Sequence, residues 1–86
     1  MMKTVRVKEL KVSIPYWTGF YGLSSEVMEA VRSSGLLTVE DLGKKWHEDP
    51  KHLDRALANT KIDAKDRGKV IRGLNDATIL YLESKK

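Results

Sequence analysis

From Leu23 onward the apolar residues recur at helical spacing, and each recurrence starts at a residue able to cap a helix. Leu23, Val27, Ala30, Val31 and Ser34 share one face. Ser24 or Ser25 offers a hydroxyl to the first free N–H groups, Glu26 suits the positive end of the helix dipole, and Gly35 stops the run. Thr38-Val39-Glu40-Asp41 has the form of a capping box with Asp in the place of Glu, and opens a short helix that buries Val39, Leu42 and Trp46. Asp49-Pro50 opens another, with Leu53, Ala56 and Leu57 on its apolar side. Asp63 caps the longest, whose stripe is Val70, Leu74, Ala77 and Tyr81. The spacing predicts helices near residues 24–34, 39–46, 50–58 and 64–83, around a core of Val27, Val31, Val39, Leu42, Leu53, Leu57, Val70 and Leu74. Gly68 and Gly73 are expensive inside a helix and point to close approach by a neighbour.

The first residues follow another rule. In Thr4 to Ile14, Val5 and Val7 alternate with charge, and Leu10, Val12 and Ile14 alternate on the opposite parity. That pattern predicts two short extended pieces with a bend near Lys8–Glu9, closed by Pro15, which lacks the N–H a ladder needs. A lone strand must pack on the body, pair with a copy or stay loose. Residues 15–22, PYWTGFYG, carry Tyr16, Trp17, Phe20 and Tyr21, and their two glycines read as a loop. The aromatics serve either as a stacking platform for bases, through Trp17 or Tyr16, or as an apolar strap over the core.

Composition narrows the classes. At 86 residues there is room for one domain with a modest core. The absence of cysteine excludes a disulfide scaffold, thiolate zinc, iron–sulfur clusters and thiol catalysis. No apolar run approaches the roughly 20 residues of a membrane span, and no secretion signal is recognisable, so a small cytoplasmic domain is expected. The net charge of +4 is uneven: residues 1–12 carry +3, residues 13–60 carry −2 and residues 61–86 carry +3. A basic arm of Lys3, Arg6, Lys8 and Lys11 can hold a phosphate backbone or simply be a solvated tail.

Catalytic chemistry is not encoded in any recognisable pattern. His47 and His52 are five apart around Pro50, not at the spacing of a helical metal pair, and the reading of His47, His52, Glu48 and Asp49 is a hydrated surface. No serine sits in a nucleophile elbow, and Gly19-Phe20-Tyr21-Gly22 is no phosphate loop. No catalytic residue, metal, cofactor or small-molecule substrate is expected.

Residues 23–42, LSSEVMEAVRSSGLLTVEDL, resemble the C-terminal domain of the bacterial RNA polymerase α subunit. There too a capped helix follows Leu-Ser, ends at a Gly and restarts at Thr-Val-x-Asp-Leu, here Thr38 to Leu42. The resemblance extends more thinly over residues 21–75. It implies a mainly α fold, a small four-helix helix-hairpin-helix (SAM-like) domain over residues 15–84 behind an extended basic arm of residues 1–14.

That family binds the DNA minor groove through its first helix and the hairpin before its last. Glu26 stands where the family has an Arg and Glu29 where it has an Asn, while a basic residue is kept as Arg32. The family's Gly-Lys-Lys-Ser falls on Asp63-Ala64-Lys65-Asp66, and only Lys65 survives. Carboxylates facing phosphates repel, although first-turn carboxylates also simply stabilise helices. The resemblance therefore implies a non-catalytic binding module, in transcription or a related nucleic-acid process, that acts mainly through protein contacts at Glu26, Glu29, Asp63 and Asp66. Its partner would be a component of the transcription machinery. The alternative is direct DNA or RNA binding by Lys3, Arg6, Lys8 and Lys11, helped by Lys44 and Lys45, with Arg32 and Lys65 as the retained cations.

Overall fold

The segment Ile14–Tyr21, expected as a loop, is a helix, α1, in the computed structural model, which describes residues 9–85. Its ends explain it. The Ser13 hydroxyl accepts from the Tyr16 N–H at 3.4 Å, and Pro15 lies in the first turn, where its missing N–H costs nothing. At the other end Gly22 takes φ +67°; its N–H donates to the Gly19 carbonyl at 3.2 Å, and the Leu23 N–H reaches the Thr18 carbonyl at 2.8 Å. The same Pro15 that suggested the end of a strand is thus the start of a helix. Ile14, expected to close the arm, is the first residue of α1.

Four helices follow: α2, Ser25–Ser33; α3, Val39–Glu48; α4, Pro50–Ala58; and α5, Ala64–Ser84. The described chain is all-helical, with five helices where four were expected and no strand among the described residues. Gly35, at φ +86°, lets the chain leave α2, its N–H donating to the Arg32 carbonyl at 2.9 Å. The capping box of α3 forms with Asp: the Thr38 hydroxyl accepts from the Asp41 N–H at 3.3 Å, and Asp41 accepts from the Thr38 N–H at 3.3 Å. Ser24 is the N-cap of α2, but its hydroxyl makes no capping bond.

The described part of the arm is tied down. Leu10 and Lys11 form a turn, and Ser13 makes an isolated antiparallel bridge to Thr38. The Val39 N–H donates to the Val12 carbonyl at 3.0 Å and the Glu40 N–H to the Leu10 carbonyl at 2.9 Å. Those are the first two N–H groups of α3, which no helical carbonyl can reach. Residues 10–12 therefore cap a helix from outside. Residues 1–8, with Lys3, Arg6 and Lys8 and the expected bend, lie outside the described residues.

The core forms where α5 crosses α3 and α1, with α2 and α4 closing the sides. Of the expected core, Val27, Val31, Val39, Leu42, Leu53, Val70 and Leu74 are buried; Leu57 is half-buried at the mouth of a groove with Ile62 and Ile71. The largest side chain fully enclosed is Trp17. The radius of gyration is 12.0 Å, matching the roughly 12 Å of a compact chain this long.

Candidate functional site

The four expected acids gather where the start of α2 meets the α4–α5 connection. Glu26 lies in the first turn of α2 and Glu29 one turn on, both exposed. Asp63 is the N-cap of α5; its carboxylate accepts from the Asp66 N–H at 2.9 Å. Asp66 is half-buried in that first turn. Glu26, Asp63 and Asp66 line an open groove of about 540 Å³ with Thr60, Lys61 and Ile62. Glu26 and Glu29 line an adjoining one of about 600 Å³ that shares Thr60 and Lys61. The two grooves share Glu26, Thr60 and Lys61, and together they form a trough of four carboxylates around one lysine.

The expected cations are not gathered in this way. Arg32, in the last turn of α2, and Lys65, in the first of α5, are exposed and line neither acidic groove. Lys44 is exposed and Lys45 half-buried on α3, and Lys11 is exposed beside the turn of the arm. Trp17, offered as a stacking side chain, is 0% exposed, and its indole N–H is used up on the Gly73 carbonyl at 3.2 Å, so it stacks on no base. Tyr16, by contrast, is 55% exposed.

A second cluster was not foreseen. Phe20, Tyr21, Lys69 and Arg72 line a groove of about 400 Å³ between α1 and α5. The Arg72 guanidinium sits 5.9 Å from the Tyr21 ring centroid, within cation–π range. The Tyr21 hydroxyl donates to Asp76 at 2.6 Å, and Asp76 lies 3.9 Å from Arg72 Nε. The signal was in the spacing: Lys65, Lys69 and Arg72 are four and three apart, which on a helix is one face. The segment's net charge does not show it, because Asp63, Asp66 and Asp76 lie among these cations along the chain.

His47 is exposed and His52 half-buried, with its Nε2 enclosed and without a hydrogen-bond partner. Among the described residues no three potential ligands gather as a metal site, and no helix is long and apolar enough to cross a membrane. At the far end of α5, Lys85 has its pKa raised, first by a hydrogen bond with Tyr81 and then by the charge of that phenol, with Glu48 adding a smaller pull. Its ammonium lies 4.8 Å from the Tyr81 ring centroid.

No protein family, curated protein or solved structure matches this chain.

Proposed function

We propose that this chain is a non-catalytic binding module that acts through protein contacts, and that the acidic trough receives a basic segment of its partner. The observation that carries this reading is the convergence of Glu26, Asp63 and Asp66 on one groove, with Glu29 on its continuation. The resemblance of residues 23–42 to the polymerase α C-terminal domain supports a helix-hairpin-helix arrangement. It also supports a place in the cytoplasm with the transcription machinery or a related nucleic-acid process. Four carboxylates at the positions where that family meets DNA argue for a basic protein surface in place of phosphate.

Titration of a Lys/Arg-rich peptide against the chain and a Glu26→Gln, Glu29→Gln double variant tests the reading. These two side chains are exposed and cap nothing, so the fold should survive. The expected result is saturable binding by the natural chain that weakens several-fold in the variant. Equal binding by both would remove the trough from consideration. The rival reading, direct DNA or RNA binding by the arm, has exposed Lys11 in its favour but loses Trp17 as a stacking residue.

A further inference from the structure

We propose that the chain associates with a second copy of itself through the outer face of α5, the two helices running antiparallel about a twofold axis at Asn75. This face is independent of the acidic trough: Asp66 and Asn75 are nine positions apart on α5, which puts them on opposite sides of the helix.

An apolar stripe lies open on that outer face. Toward the body α5 buries Val70, Gly73, Leu74, Ala77 and Tyr81. On its far side Ile71, Ile79 and Leu82 are 38%, 42% and 39% exposed. Gly68, Ile71, Asn75, Ile79 and Leu82 are three, four, four and three positions apart, so they form one row along about 21 Å of helix. Trp46 of α3 borders the row, its indole N–H donating to the Asn75 side-chain oxygen at 3.1 Å.

The row reads the same from either end. Asn75 is its centre, Ile71 and Ile79 lie four positions to either side, and Gly68 and Leu82 lie seven. In a twofold interface, a residue that meets another is itself met by that other in the second copy. Antiparallel pairing about Asn75 satisfies this along the whole row. Ile71 meets Ile79 of the second copy, and Gly68 meets Leu82 of the second copy.

Gly68 favours a second copy over an unrelated partner. A glycine weakens the helix that contains it, yet nothing lies within 4 Å of its Cβ position. Its missing side chain makes room for no contact among the described residues. Opposite a leucine, the same gap is a recess that lets two helices approach closely. An unrelated partner would have no need of a recess and a leucine at equal distances from one centre.

The charges on one flank agree with the antiparallel direction. Lys65 and Glu83 are eighteen positions apart, five whole turns, so they share a flank of the row, and exposed Lys69 lies beside it. Antiparallel pairing sets Glu83 of the second copy level with position 67, between Lys65 and Lys69. Parallel pairing sets like charges side by side. Glu83 already has an interaction in its own chain, and only the sign of its charge matters here.

Sedimentation equilibrium of the whole chain tests the association. The average mass should rise from 9.8 kDa toward twice that value as concentration increases. Half-association should fall on the order of 100 µM, since one helix against one is a small contact. Ile79→Lys enters the interface twice and should weaken association at least about tenfold. Its circular dichroism at low micromolar concentration checks that the fold is kept. The chain has no cysteine, so disulfide trapping reads the register. Asn75→Cys should trap a dimer on mild oxidation. Gly68→Cys alone should not, because its two copies stand about 21 Å apart along the axis, but Gly68→Cys mixed with Leu82→Cys should. A chain that stays monomeric up to about 1 mM, well above the range of a weak specific contact, overturns the proposal and leaves the face to another partner. So does association that Ile79→Lys does not weaken, or trapping of Gly68→Cys with itself, which would mean parallel helices.

Discussion

The indole of Trp17 occupies the space that a side chain at residue 73 would fill. A Cβ built on Gly73 would stand 2.8 Å from Trp17 Cζ2, and the indole N–H donates to the carbonyl of the same glycine at 3.2 Å. The glycine gives α1 both a recess and an acceptor in the middle of α5, and Trp17 fills the one and satisfies the other.

This sets opposite signs for two similar substitutions. Gly68 also lies inside α5, but nothing lies within 4 Å of its Cβ position. Gly68→Ala should stabilise by up to about 1 kcal/mol, the helix preference alone. Gly73→Ala gains the same preference but collides with an enclosed ring, and overpacking of that kind costs about 1–3 kcal/mol. Its net effect should be destabilising. Urea melts of both variants measure the difference, and the same sign for both would show that α1 does not dock as described.

Gly43 is the more demanding position. A Cβ there would run into the Ala77 carbonyl oxygen and stand 2.7 Å from its carbon, where α3 crosses α5. Backbone cannot swing aside as a side chain can. Gly43→Ala should therefore cost more than Gly73→Ala, about 3 kcal/mol or beyond. In so small a domain this is much of the total stability. A thermal scan showing a loss no greater than that of Gly73→Ala would indicate that the two helices can separate at little expense.

The sequence reading located α2 to α5 from their caps and apolar spacing, because those signals are local: Thr38 with Asp41, Pro50, and Asp63 each mark a helix start by their own chemistry. It missed α1 because Ser13, Pro15 and Gly22, which mark its ends, equally suit a strand end and a loop, and because so short a helix needs tertiary support. Eight residues with a central Gly19 have little helical tendency of their own. What holds them is Trp17 inserted against α5, a contact across 56 residues that no local pattern displays. Within the chain, Gly73 was rightly read as a close-approach position and Gly68 wrongly, since only the packed structure tells which side of a helix a glycine faces. Gly43, the tightest of the three, raised no suspicion at all. The acids were legible because first-turn positions follow from caps. The cationic face of α5 was not, because Asp63, Asp66 and Asp76 lie among its cations along the chain and the groove's other wall belongs to the helix that was missed.

The last residues of the arm, Leu10 to Val12, are held to the first turn of α3 and so contribute to the fold. A chain beginning at Ser13 loses the Leu10 and Val12 carbonyls that receive the Glu40 and Val39 N–H groups. Val39 is fully buried, so its donor has no ready replacement from water. Compared with a chain beginning at Glu9, the shorter one should be less stable by about 1–3 kcal/mol, with α3 the first helix to exchange its amide protons. Identical melting of the two would reduce the clasp to an incidental contact.

The acidic trough makes the last and most discriminating prediction. Asp63 has two possible duties: capping α5 and presenting charge. Replacement of an Asp cap by Gly costs only a few tenths of a kcal/mol, so Asp63→Gly should leave the fold intact and expose the second duty. Combined with Glu26→Arg, it restores the two residue types that the resembling family has at these positions. Titrated against duplex DNA at about 50 mM salt, where phosphate contacts are strongest, the double variant should bind more tightly than the natural chain. Against a Lys/Arg-rich peptide it should bind less tightly. Opposite movement of the two affinities is what a trough selecting by charge must produce. If the natural chain already binds duplex tightly, and Arg32→Ala with Lys65→Ala abolishes that binding, then the four acids serve only their helices and the surface faces DNA after all. If duplex binding disappears when the chain starts at Ser13, the arm holds the phosphates and the trough has no part in it.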